Sequence, residues 1–412
     1  RSFTSRLLNN RHQKHQIRGN LLFQILDSKH ECKGIYYDGQ IVQNPTGLTL
    51  SKTWAPSKNF EGQISDFGLL WARGQTLTQV CPEELKPRWQ KLTKKANAFI
   101  KSFSTAKVSL DEVCFYDLVP EKFLLDFFDC RNKITEHVFN TYQRPHNHDF
   151  MRELMGFLDD IKAHEVKVNL KNLDYSDDKV RTSLNKIKDC PTRVIYNPWT
   201  TVTGRLASGE ETFPILTLNK ELRAAIEPQN DCFVELDYNA AELRVLFGLL
   251  GQDQPEGDVH EWIAANIFEG KYDREKTKKK VFSWLYNPKA KNKKLNEYLN
   301  RDQIYSKYYI DGYVNTLYNR KIKAPEEKAV NYLIQSTTSD MFLTSAMKIN
   351  RLLTSKKSFV SFCIHDSLVL DFSIEDKPMI DDLIASFSQT QFGKMRTNLS
   401  IGKNFGSMKK IV

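Results

Sequence analysis

Hydrophobic and polar positions follow three patterns in turn along the chain. From residue 20 to 80, short apolar runs such as GIYYDG and GLTL lie between Gly, Pro and Asn turns, which predicts a small, irregular β-containing region. From Pro82 to about Cys190 the period lengthens: RWQKLTKKANAFIKSF, EKFLLDFFDCRNKITEHVF and FMRELMGFLDDIKAHEV repeat apolar residues every three or four positions. That spacing predicts three helices, with Pro145 parting the second from the third. After Pro191 the two patterns mix. DCFVELDYNAAELRVLFGLLG (231–251) is an apolar strand ending in Asp237, then a helix with apolar positions 243, 246, 247 and 250. Residues 274–286 form a strongly basic helix and 326–353 another long helix, while FVSFCIHDSLVLDF (359–372) is a buried hairpin with His365 and Asp366 at its turn.

A lone Asp at a hairpin turn is ordinarily a turn former. Here a second carboxylate answers it, because Asp237 ends one apolar strand as Asp366 follows another, and rigid scaffolds place functional groups at strand ends. If the two strands are neighbours, their repulsion calls for a cation. Two carboxylates with phosphate oxygens and water suit Mg²⁺, and a pair of such ions supports phosphoryl transfer. In REKTKKKVFSWLY, Arg274, Lys278, Phe282 and Tyr286 recur every four residues. Each step advances about 40° around a helix, so the four make one stripe about 120° wide. The cations suit a triphosphate and the aromatics a base and sugar. Read alone, the stretch is equally a lysine-rich solvated helix with two core aromatics.

Composition narrows the partner. The 412 residues suggest two or three subdomains, and the formal charge of +10 calls for a polyanion. No apolar run has the length of a bilayer span, which favours nucleic acid over lipid and predicts no membrane partner. Seven scattered cysteines without a C-x-x-C pair argue for a reducing compartment and against structural zinc. His146 and His148 lack a carboxylate or Cys at a usable spacing and are not expected to bind metal. The first 26 residues carry Arg1, Arg6, Arg11, Lys14 and Arg18 and no acid, a basic arm or an organellar targeting segment. A start at Arg suits a fragment or a processed product.

Together these pieces resemble the polymerase domain of family A DNA polymerases. DYNAAELR (237–244) is similar to the first catalytic motif, R-x₃-K-x₃-F-x₃-Y (274–286) to the fingers helix, and IHDSLVL (364–370) to the last motif with its His-Asp. TVTGRLAS (201–208), DVH (258–260), NYLIQSTTSDM (331–341) and LSIGKNFGSM (399–408) resemble further segments in the family's order. The likeness spans about residues 190–412.

The resemblance implies an α+β right-hand fold: an antiparallel palm sheet, helical fingers, a reduced helical thumb and a small N-terminal region. The implied divisions are 1–110, of unknown role; 111–200, helical and including the thumb; 201–257, palm; 258–330, fingers; and 331–412, palm again. It implies that Asp237, Asp366 and the Tyr238 carbonyl bind two Mg²⁺ ions. Arg274 and Lys278 would hold the triphosphate, with Lys278 able to protonate the leaving pyrophosphate, and His260 would be a further substrate-binding residue. Phe282 would stack on base and sugar, Glu242 and Tyr286 would close the 2′ position, and Arg205, Asn331, Gln335 and His365 would contact primer-template.

The implied activity is template-directed addition of deoxynucleoside triphosphates to a primer 3′ end. A processivity factor or other replication protein is an expected partner. The implied setting is the host cytoplasm for a phage enzyme or an organelle matrix. No proofreading exonuclease is expected in residues 1–190, which show no early Asp-x-Glu on a strand. The sequence departs from the family at Ser367, where Glu is usual, at Asn287, where Gly is usual, and at Ala240 and Ala241, which replace larger residues. Ser367 motivates an alternative, a catalytically impaired primer-template binding protein of the same fold.

Overall fold

The computed structural model describes residues 21–411 apart from 29–30, 58, 61–63, 65, 111 and 288, so the basic arm lies outside the described residues. The chain forms two units, residues 1–152 and 153–412.

In the first unit, strands β1 (Leu21–Leu22), β2 (Gln24–Asp27), β3 (Cys32–Tyr37), β4 (Gln40–Val42), β5 (Leu50–Thr53) and β6 (Asp66–Phe67) make two small sheets. Asp38 and Gly39, with φ of 46° and 80°, turn β3 into β4. Asp-Gly favours this because both positions need the left-handed region. β1, β5 and β6 run parallel, an arrangement that strands of two to four residues did not announce.

Helices α1 (Lys86–Thr105) and α2 (Glu121–Thr141) share a core with these strands: Leu26, Tyr36 and Trp54 pack with Trp89, Phe123 and Phe128. Both helices lie in the first unit with the N-terminal strands. His148 is a core histidine, 2% exposed, its Nε2 2.6 Å from Asp66 Oδ1.

The second unit is built on a five-stranded antiparallel sheet in the order β8-β9-β7-β10-β11, where β7 is Cys232–Tyr238, β8 Phe359–Ile364, β9 Ser367–Phe372, β10 Thr397–Gly402 and β11 Lys409–Lys410. Helices α3 (Ala241–Leu249), α4 (Val259–Asn266), α5 (Arg274–Tyr286), α6 (Glu326–Leu352) and α7 (Ile380–Ser388) complete its framework. Side chains alternate across a strand. On one face Tyr238 stacks on Phe387 of α7, which meets Phe342 of α6. On the other, Phe233 packs against Phe362 and Phe405, and Glu235 and Asp237 share that side of β7. No helix among the described residues is long and apolar enough to cross a membrane.

Candidate active site

Asp237 and Asp366 come out at the same end of adjacent strands. Asp237 pairs in register with Ser367, the residue after Asp366, and the hairpin turn is closed by Ile364 opposite Ser367. His365 takes φ 54° at that turn and is exposed. Burial pushes the Asp237 carboxyl up to about 6 against the lowering effect of the Asn398 amide, which donates to it at 3.0 Å, and the charges of Asp366 and Glu235 add to the rise. Burial raises Asp366 as well. Tyr238 has its ring in the core, so only its backbone is available at the strand end. Among the described residues, no Lys or Arg forms an ion pair with Asp237 or Asp366, and no three His, Cys, Asp or Glu side chains make a ready metal cage.

Beside this strand end lies a cavity of about 240 Å³, lined by Arg205, Glu242, His260, Phe282, Tyr286, Thr338, His365 and Asp366 among others. The stripe expected on α5 is present: Phe282 and Tyr286 stack at 5.5 Å, His260 stacks on Phe282 at 6.1 Å, and Lys278 Nζ lies 6.0 Å from the Phe282 ring. Phe282, 40% exposed, also lines the cavity. His260 is buried with neither ring nitrogen hydrogen-bonded, and the Thr338 hydroxyl is likewise buried and unpartnered. Thr338 had no expected role; a polar side chain inside a helical apolar run was its one sequence signal.

Other expected residues are engaged. Arg274 donates to Asp258 at 2.9 Å; although burial opposes it, this contact, the Asn239 amide and backbone N–H groups hold the Asp258 carboxyl well below the usual range. Arg205 forms an ion pair with Glu242, whose carboxyl is raised by burial. Asp237, Arg274 and Lys278 are not among the cavity's lining residues. Asn331 and Gln335, both partly buried, lie on α6 two turns and one turn, respectively, before Thr338 and Ser339.

Residues 77–323 match the family described as DNA polymerase family A. The chain belongs to that family. It is a DNA-directed DNA polymerase. The match holds Asp237, the Thr-Gly-Arg segment and α5; it begins well before residue 190, where the resemblance was expected to start, and ends before Gln335 and Asp366. No curated protein matches the chain. A solved structure, the POL domain of Pol1 from M. smegmatis in complex with DNA primer-template and dNTP, is 14% identical over 82% of this chain and 67% of that one, with a TM-score of 0.45.

Two arginines, Arg244 buried and Arg320 half-buried, position the polymerase's motifs. The Arg244 guanidinium, 1% exposed, donates to the carbonyls of Asn239, Pro255 and Gly257 at 2.9, 3.0 and 2.7 Å, tying the turn after Asp237 to the chain leading into α4. Arg320 donates to Asp340 at 3.0 and 2.7 Å, and its guanidinium lies against Gly204, where a Cβ would come within 2.6 Å of it and where φ is 77°. Ser339 holds the same glycine by donating to its carbonyl at 3.0 Å. Glycine at 204 thus answers both crowding and backbone conformation, and it fixes where Arg205 begins.

Proposed function

We propose that this polymerase extends a primer 3′ end with deoxynucleotides by metal-assisted phosphoryl transfer, the catalytic residues being Asp237, Asp366 and Lys278. The observation that carries the reading is the pair of half-buried, ion-unpaired aspartates at one strand end beside a cavity with an aromatic wall and unpartnered polar atoms. The donor set there, Asp237, Asp366 and the Tyr238 carbonyl, is all oxygen, which fits Mg²⁺, an ion that takes few protein ligands and leaves room for phosphate and water. When bound, such ions neutralise charge on the phosphates and lower the pKa of the attacking hydroxyl.

The chain's own residues do the rest. Arg274 and Lys278 receive the triphosphate, with Arg274 already oriented by Asp258, His260 binds the nucleotide beside them, and Lys278 gives a proton to the leaving pyrophosphate. Phe282 offers its exposed ring to the base and sugar. Glu242 and Tyr286 line the cavity and close the 2′ side, so that a ribose hydroxyl meets a wall where deoxyribose does not. Arg205, His365, Asn331 and Gln335 contact primer-template, where minor-groove acceptors common to all base pairs report pairing without reading sequence. The thumb, a palm and fingers division at residues 257 and 330, and a processivity partner belong to this same reading.

The test is extension of a labelled primer with deoxynucleotides against ribonucleotides. Wild type is expected to use deoxynucleotides, and Glu242→Ala to raise relative ribonucleotide use by roughly tenfold or more. Unchanged sugar discrimination in Glu242→Ala places the gate elsewhere.

A further inference from the structure

Sequence comparison with the family left Ser367 as a lost carboxylate. The structure gives that serine a partner. Ser367 Oγ donates to Glu235 Oε1 at 2.6 Å, across from β9 to β7. Ser367 stands opposite Asp237, whereas Glu235 stands opposite Val369, so the hydrogen bond runs diagonally and draws the Glu235 carboxylate toward the strand end. Glu235 and Asp237 are two residues apart on one strand, roughly 7 Å, and face the same way. Like Asp237 and Asp366, Glu235 has no ion-pair partner among the described residues.

We propose that Glu235, oriented by Ser367, is a positioning residue that strengthens divalent-cation binding at Asp237 and Asp366. This rests on the metal-site reading above. Glu235 does not complete a three-carboxylate cage. Its negative charge sits behind Asp237 on the same face of the sheet, where it favours a cation at the strand end and the Ser367 hydroxyl keeps it from swinging away. The carboxylate missing from β9 is thus supplied from β7, and the serine that replaced it is the group that aims it.

The probe is Mn²⁺ alone, titrated into the full chain without nucleotide or DNA and followed by loss of the free-ion EPR signal. Glu235→Gln, which keeps the shape and the acceptor, is expected to weaken Mn²⁺ binding about tenfold, within the range for residues that support a ligand set. Ser367→Ala, which deletes only a hydroxyl, is expected to weaken it about threefold. It serves as the test even if Glu235→Gln fails to fold. The double variant Glu235→Gln with Ser367→Glu, which returns the charge to β9, is expected to recover most of the loss; a purely structural hydrogen bond predicts no such recovery. If Asp237→Asn loses Mn²⁺ while Glu235→Gln and Ser367→Ala bind it as wild type does, the inference is overturned and the metal-site reading survives. If Asp237→Asn also binds Mn²⁺ unchanged, both fall.

Discussion

The central sheet carries carboxylates at both ends of its strands and treats them in opposite ways. At one end Asp371, 2% exposed, accepts hydrogen bonds from the backbone N–H groups of Gln229 and Asn230 at 2.6 and 2.8 Å, and nearby Asp231 accepts from the Ile374 N–H at 2.8 Å. At the other end Asp237 receives one side-chain amide, from Asn398, and shares its surroundings with Asp366 and Glu235. Burial raises the carboxyls of both Asp371 and Asp237. The difference lies in what surrounds the charge. A carboxylate enclosed by backbone donors holds loops together, whereas carboxylates left facing one another store a demand for a cation.

The sharpest way to break this comparison is to remove a charge at each end. Asp366→Ala is expected to cut nucleotide addition by roughly 10²–10³-fold or more while primer-template binding changes little, since phosphate contacts carry most of that affinity. Full activity in this variant removes the account of the strand end. Asp371→Ala should do the reverse. Leaving two part-buried N–H groups without an acceptor costs about 1–3 kcal/mol, read as a shift in the urea midpoint, with the rate of addition per folded molecule retained. A loss of rate without loss of stability there contradicts the division of roles.

A smaller effect follows from titration. The Asp237 carboxyl is pushed up to about 6 in the fold, against about 4 for an unfolded aspartate, so between those values the folded chain binds more protons than the unfolded one. Stability of the metal-free chain is therefore expected to fall as pH rises from about 4 to about 6, and Asp237→Asn should flatten that slope. Urea unfolding in chelator across this range measures it. A slope identical in wild type and variant means that Asp237 is not the carboxyl responsible.

Much of the second unit was legible because its signals are local. The basic helix occupies Arg274–Tyr286, the span its four-residue stripe marked, and the hairpin turns at His365 and Asp366 between two apolar runs. What escaped was set by distant pairing. Alternation along β7 already placed Glu235 beside Asp237, but the hydroxyl that gives Glu235 a purpose is on a strand whose register a single sequence does not encode. The ion pair of Arg320 with Asp340, and the place of Arg320 against Gly204, likewise join segments far apart in the chain. In the first unit, the Asp-Gly turn was readable. The parallel ladder and the shared core of Trp54 with Phe123 and Phe128 were not, because they join segments far apart in the chain.

The most direct test of the strand-end account is single-turnover addition of one deoxynucleotide to a labelled primer with Mg²⁺, comparing wild type with Asp237→Ala. The account predicts rapid addition by the wild type and a loss of at least roughly 10²-fold in the variant at equal occupancy by primer-template. Addition by Asp237→Ala at the wild-type rate would contradict it.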